Sequence, residues 1–186
     1  MSNSLHTLPA GLPIPVDDGL AAHLAGMRLP DVLLDSTSGG AVNLSTIQQK
    51  LVIYIYPLTG RPDVALPAGW DEIPGARGCT PQACDFSNHY QALQALNTVV
   101  FGLSSQNTEY QLELKNRLHL PFDLLSDSHF LWQKSLTLPT FKVNELLLYK
   151  RLTLIAEQSV IKKVFYPVFP PDQNASQVID WLKAQH

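Results

Sequence analysis

Leu51-Val-Ile-Tyr-Ile-Tyr56, followed after a long loop by Pro74-Gly-Ala-Arg-Gly-Cys79-Thr-Pro-Gln-Ala-Cys84, decides the fold. The first stretch is an unbroken β-branched and aromatic run. Such a run suits a central strand covered on both faces, and Pro57 stops it. Residues 57–78 hold four prolines and four glycines, a composition that predicts a long structured loop. A loop of that length inside a compact domain is usually functional or mobile. Thr80-Pro81 then offers a capping hydroxyl and a proline at the first helical position. Phe86, Tyr90, Leu93 and Leu96 carry a helical stripe onward, so one helix is predicted to Asn97.

Working outward, Thr98–Leu103 reads as the next buried strand, Asn107–Leu118 as a helix and Phe122–Leu125 as a short strand ended by Ser126-Asp127. Ser128–Leu136 should be helical. Arg151–Ala156 and Val160–Tyr166 read as adjacent strands joined near Glu157-Gln158, and Asn174–Ala184 as a final amphipathic helix with Val178, Ile179 and Leu182 on one side. Toward the N-terminus, Ser45–Lys50 suits a short helix, and Asp31–Leu34 with Ala41–Leu44 a hairpin around Ser38-Gly39-Gly40. Residues 1–27 are expected to form an arm, rich in Pro and Gly, with a short helix near Asp17–Ala25, laid over a domain of residues 28–186. This element order resembles a thioredoxin-like α/β fold: a central mixed β-sheet flanked by helices on both faces.

The chain of 186 residues, 45% of them hydrophobic, is long enough for one domain to bury roughly 70% of its unfolded surface without a staple. Its net charge of −3 comes from charges of both signs spread along the chain, which argues against nucleic acid as a partner. Met1-Ser-Asn-Ser-Leu-His lacks the pattern of a secretory signal, and the apolar runs fall short of the roughly 18 residues of a membrane span. The expectation is a cytoplasmic protein that binds no membrane. In a reducing compartment its two cysteines are better read as reactive or metal-binding than as a permanent staple. Zinc needs about four ligands, and with two thiols and no ligand spacing among the histidines neither a metal nor another cofactor is expected.

Cys79 stands where a helix begins, and an anion is favoured there by free backbone N–H groups and the helix dipole. A thiolate is such an anion, so its pKa is expected to fall. If both cysteines lay in one helix, their Cα atoms would be about 8.6 Å apart and their side chains rotated by roughly 140°. Disulfides rarely exceed about 6.8 Å between Cα atoms. A bond between Cys79 and Cys84 therefore requires the first helical turn to unwind, and the spacing predicts a two-state redox cycle.

The segment from Pro74 to Phe86 resembles the active-site segment of peroxiredoxins of the Q type, also called bacterioferritin comigratory proteins. Leu51–Pro57, Gly102-Leu-Ser-Ser105, Leu124-Leu-Ser-Asp127 and Arg151 are similar to further family stretches in the same order, so the resemblance covers roughly residues 28–184. It implies a thiol peroxidase acting on hydrogen peroxide and organic hydroperoxides. Cys79 would be the peroxidatic cysteine, Cys84 the resolving one, and Arg151 the group that holds thiolate and peroxide. It also implies an external dithiol such as thioredoxin as reductant, in a monomer or homodimer. The family carries Thr or Ser three residues before the first cysteine; here that position is Ala76, and an insertion separates Pro57 from Cys79. Thr59 or Thr80 is the candidate for the missing hydroxyl, and the backbone at Gly78 for a further substrate contact.

Lowering a thiol pKa from about 8.5 to about 6 raises the thiolate fraction at neutral pH roughly 30-fold. Falling nucleophilicity then returns about 13-fold of this. Rate must come instead from groups that stabilise charge as the O–O bond breaks, and Arg151 with the amides of residues 78–80 are the candidates. A thiol–disulfide oxidoreductase or a non-enzymatic redox sensor on the same fold is the alternative. Arg77 reads as a solvated loop charge, Tyr54 and Tyr56 as strand packing, and Trp70 as an anchor of the loop.

Overall fold

The computed structural model describes residues 5–185; the first four residues of the expected arm and His186 lie outside the described residues. Nine strands and five α-helices follow in chain order among them. β1 (Leu34–Ser36), β2 (Ala41–Val42) and β3 (Lys50–Ile55) precede α1 (Cys79–Asn88) and α2 (Tyr90–Ala95). Then come β4 (Thr98–Ser104), α3 (Thr108–Leu118), β5 (Asp123–Ser126), α4 (Leu131–Leu136), β6 (Thr140–Val143) and β7 (Leu146–Tyr149). β8 (Leu152–Glu157), β9 (Val160–Phe165) and α5 (Asn174–Lys183) complete the chain.

Seven strands form one sheet in the order β2-β1-β5-β4-β3-β8-β9. β3, β4 and β5 run parallel, while β8, β9, β1 and β2 pair antiparallel. This is the expected thioredoxin-like mixed sheet. β3 sits between β4 and β8 and is buried from Leu51 to Ile55. Its alternate side chains point to opposite faces. Leu51, Ile53 and Ile55 enter a core with Leu24, Trp132 and Leu136. Val52, Tyr54 and Tyr56 enter a second core with Phe86, Leu93, Leu114 and Val178. Thus α1, α2, α3 and α5 cover one face, and α4 with the N-terminal turns covers the other. Among the described residues no helix is long and apolar enough to cross a membrane.

Several expectations are corrected. The predicted helix from Thr80 to Asn97 breaks at His89, whose backbone leaves helical values while its Nδ1 lies 2.9 Å from the Asp85 carbonyl. α2 then starts on a new axis that brings Tyr90 against Phe122 and Leu93 into the core. Asp17–Ala25 forms successive turns instead of a helix, closed by bonds such as Ala22 N–H to the Gly19 carbonyl at 3.1 Å. Gly19 and Gly26, both at positive φ, bracket them. Residues 26–29 instead bond along β9, with Arg28 bridging Val160. The hairpin expected at 31–44 pairs three residues later on its first strand, Leu34 opposite Val42, and Ser45–Lys50 yields only a 3-10 turn at Leu44–Thr46. α4 begins three residues after the expected Ser128.

The hairpin of β6 and β7 was not expected. It carries the third apolar cluster, in which Leu148, Phe141 and Val143 meet Trp70, Ala76 and Ile73 of the long loop. The β8–β9 hairpin forms without glycine because Gln158 and Ser159 take consecutive positive φ values of 50° and 63°, the twist a two-residue hairpin requires.

Candidate active site

Cys79 is the first residue of α1, and Gly78 is its cap. Gly78 has φ 109°, and a Cβ there would lie 2.4 Å from Pro171 and 2.8 Å from Leu8. The position therefore requires glycine on both conformational and steric grounds. The helical ladder opens with Gln82 N–H donating to the Gly78 carbonyl at 3.0 Å. This leaves the N–H groups of Cys79 and Thr80 outside the ladder, and Pro81 brings none. Thr80 is thus the second helical residue, where a cap had been expected; it is buried and lines the space over Cys79.

The start of β8 brings Arg151 to the same point. Its Nη2 lies 3.1 Å from Cys79 Sγ, and the same nitrogen donates to the carbonyls of Ala76 at 2.9 Å and Arg77 at 3.3 Å. Nε donates to the Gly75 carbonyl at 3.2 Å and Nη1 to Gln82 Oε1 at 2.5 Å. Arg151 is only 3% exposed, yet none of these partners is a carboxylate. The sulfur is the one among them able to carry negative charge. Behind Gln82, Nε2 donates to Asn174 Oδ1 at 3.0 Å, which also accepts from the Thr153 hydroxyl at 2.7 Å. Gln82, Thr153 and Asn174 were missed. Gln82 was findable, three residues after Cys79 and so on the same helical face; Thr153 and Asn174 carry no local signal.

Cys84 lies five residues on in the same continuous helix, half-buried, and both thiols are free. Burial pushes the Cys84 thiol up, with the nearby Arg117 guanidinium partly opposing. Tyr54 lies against the site, stacked 4.7 Å from Phe86; burial holds its phenol neutral. Its hydroxyl has no hydrogen-bond partner among the described residues.

The two candidate hydroxyls part company. Thr59 is buried, but its hydroxyl donates to Gln106 Oε1 at 3.0 Å beyond the end of β4, and it does not line the space over Cys79. Arg77 is not a solvated charge. It is 7% exposed, pairs through Nη1 with Asp71 at 3.0 Å, and lines that space together with Leu58, Leu66 and Trp70. Trp70 anchors the loop, 6.2 Å from the Phe141 ring, and also reaches the site.

The Redoxin family matches residues 24–179. A chloroplastic peroxiredoxin Q from Oryza sativa subsp. japonica is 27% identical over 161 residues, 86% of this chain and 66% of the rice protein. Peroxiredoxin Bcp of Bacillus subtilis (strain 168) is 32% identical over 103 residues, 55% of this chain and 56% of that protein. The chain thus spans somewhat less than two thirds of the length of these curated relatives. Among solved structures, peroxidoxin BcpB from Mycobacterium tuberculosis superposes with a TM-score of 0.71 at 20% identity, covering 87% of this chain and 97% of that one.

Proposed function

The chain belongs to the Redoxin family, and from that premise we propose that it is a thiol peroxidase in which Cys79 attacks peroxide and Cys84 resolves the product. The observation that carries this is the 3.1 Å approach of a buried guanidinium to the Cys79 sulfur. A buried cation is costly unless paired, and here the pairing group is a nucleophile at a helix N-terminus. The Cys79 thiolate attacks the terminal oxygen of the peroxide. The O–O bond breaks, sulfur becomes a sulfenic acid, and the other oxygen leaves as alkoxide or hydroxide and takes a proton. Arg151 and the N–H groups of Cys79 and Thr80 face the charge that develops.

The Cys84 sulfur then attacks the sulfenic sulfur, expelling water and leaving a disulfide. This step requires α1 to unwind, since both cysteines occupy one helix. A dithiol such as thioredoxin returns two electrons by thiol–disulfide exchange. On the same reading residues 28–186 form the catalytic domain and residues 1–27 an arm, whose Leu5 and Leu8 reach the site. Thr80 and the backbone at Gly78 contact the peroxide. Thr59, whose hydroxyl already serves Gln106, supports the loop.

The test is anaerobic purification, one equivalent of hydrogen peroxide and mass spectrometry. Loss of two hydrogens in the parent and a trapped sulfenic acid in Cys84→Ser are expected. A Cys79→Ser variant that consumes peroxide as fast as the parent would sink the assignment.

A further inference from the structure

We propose that residues 5–18 form a strap over the reduced active site, which must lift at its Leu5–Leu8 end before any reagent reaches the Cys79 sulfur. This rests on the peroxidase reading and adds a control of access to the same site.

The loop that carries the site leaves room for this strap. Three of the four glycines in residues 57–78 face it. A Cβ at Gly60 would lie 3.0 Å from Leu5 Cδ2, one at Gly75 3.4 Å from Pro15, and one at Gly78 2.8 Å from Leu8 Cδ2. Two of the three also touch the catalytic groups: the Gly75 carbonyl accepts from Arg151 Nε at 3.2 Å, and Gly78 caps α1. Leu5 lines the space over Cys79 together with Leu58, Leu66 and Trp70. That space measures about 10 Å³, room for one water at most. A peroxide brings two oxygens, and Cys79 itself is buried. With the strap seated, the sulfur is in place for attack and closed to its substrate.

The seat is a light one. Among the described residues no backbone hydrogen bond joins residues 5–18 to the domain. Further on, by contrast, the N–H groups of Gly26 and Leu29 donate to the carbonyls of Ile161 and Ser159, both at 2.8 Å. The strap is tied at its far end by Asp18, whose carboxylate accepts from Lys150 Nζ at 2.5 Å and from the Tyr166 hydroxyl at 2.7 Å. Ile14 and Val16 turn their side chains to solvent. A segment with so few buried apolar contacts opens at low cost. Gly11, at φ 77° with nothing within 4 Å of its Cβ position, gives a turning point between Leu8 and the Asp18 tie. Leu5 and Leu8 can thus leave the site while Asp18 stays bound beside Arg151.

The experiment uses the full chain carrying Cys84→Ser, which leaves Cys79 as its one thiol. The reduced protein is treated with iodoacetamide, whose iodide the Cys79 sulfur displaces to form a thioether. Separately it is treated with hydrogen peroxide, from which the sulfur takes one oxygen as water leaves. Leu5→Ala combined with Leu8→Ala should raise both rate constants by about five- to tenfold, the shift expected from losing roughly half the burial of a leucine. Leu5→Ala alone, at a side chain that lies over Gly60 and not over the cap of α1, should raise both partway, and Val16→Ser should change neither. Unchanged rates in the double variant overturn the strap. Faster alkylation with slower reaction toward peroxide in both variants overturns it as well, because the leucines would then be holding the catalytic groups and not covering the sulfur. A parent that alkylates but leaves peroxide unconsumed overturns the peroxidase reading, and the alkylation rates still decide the strap.

Discussion

At Arg151 every guanidinium nitrogen has a defined acceptor, and the set combines three carbonyls, one amide oxygen and the Cys79 sulfur. Lysine cannot reproduce that fork, because its ammonium is a point charge on a flexible stem. Arg151→Met is therefore expected to lower kcat/KM for peroxide by about 10²–10³-fold, the usual worth of one preorganised donor, with Arg151→Lys close behind. Steady-state kinetics checked against circular dichroism measures this, and a loss under tenfold in a folded variant would contradict it. Tyr54 makes the opposite case. Its hydroxyl is buried without a partner among the described residues, and Gly102 is needed to make room for it, since a Cβ there would fall 2.7 Å from the ring. Tyr54→Phe should raise stability by about 1 kcal/mol, read by denaturant unfolding; a clear fall would show that the hydroxyl has a partner.

In the proposed cycle the element that matters is α1, which would be a helix for attack and not a helix for resolution. Its hold on the rest of the molecule runs through Gln82, through Phe86, and through Asp85, whose Oδ2 accepts from the first free N–H of α5, that of Ala175, at 2.7 Å. Burial raises the Asp85 carboxyl despite this bond. Asp85→Ala should therefore loosen the α1–α5 contact by about 1 kcal/mol and speed disulfide closure after a peroxide pulse, followed by rapid quench and thiol counting. Cys84 adds a pH dependence. Its thiol is raised in the folded helix, so the helix gains stability that is present in full below the ordinary thiol value of 9.0 and is lost as pH rises through the higher folded value. Closure is expected to stay slow below 9 and to accelerate as pH rises past it; a flat profile would show that Cys84 ionisation plays no part in releasing the helix.

Across the whole molecule, what the sequence made legible follows its local signals. β3 was readable because a run buried on both faces is unbroken; Cys79 and Cys84 were singled out by the segment around them and Arg151 by family resemblance alone, and the fold sets the Arg151 guanidinium 3.1 Å from the Cys79 sulfur. The break at His89 was not, since only packing of Tyr90 on Phe122 and of Leu93 in the core redirects that helix. Nor was the buried state of Arg77: its exposure depends on the β6–β7 hairpin beneath the loop, sixty and more residues away in sequence. The same long-range economy governs the redox cycle. Closing a disulfide around so short a loop limits the unfolded chain by only about 2 kcal/mol. The closure strips Arg151 of its sulfur and withdraws Gln82, and breaking up a buried charge arrangement costs about 3–5 kcal/mol. Burial of Thr80, Pro81 and Ala83 is surrendered as well. The oxidised protein should therefore melt below the reduced one, contrary to the ordinary effect of a disulfide. Calorimetry of the two forms decides it: a higher Tm after one equivalent of peroxide would mean that the bond forms without unwinding α1, which helix geometry forbids.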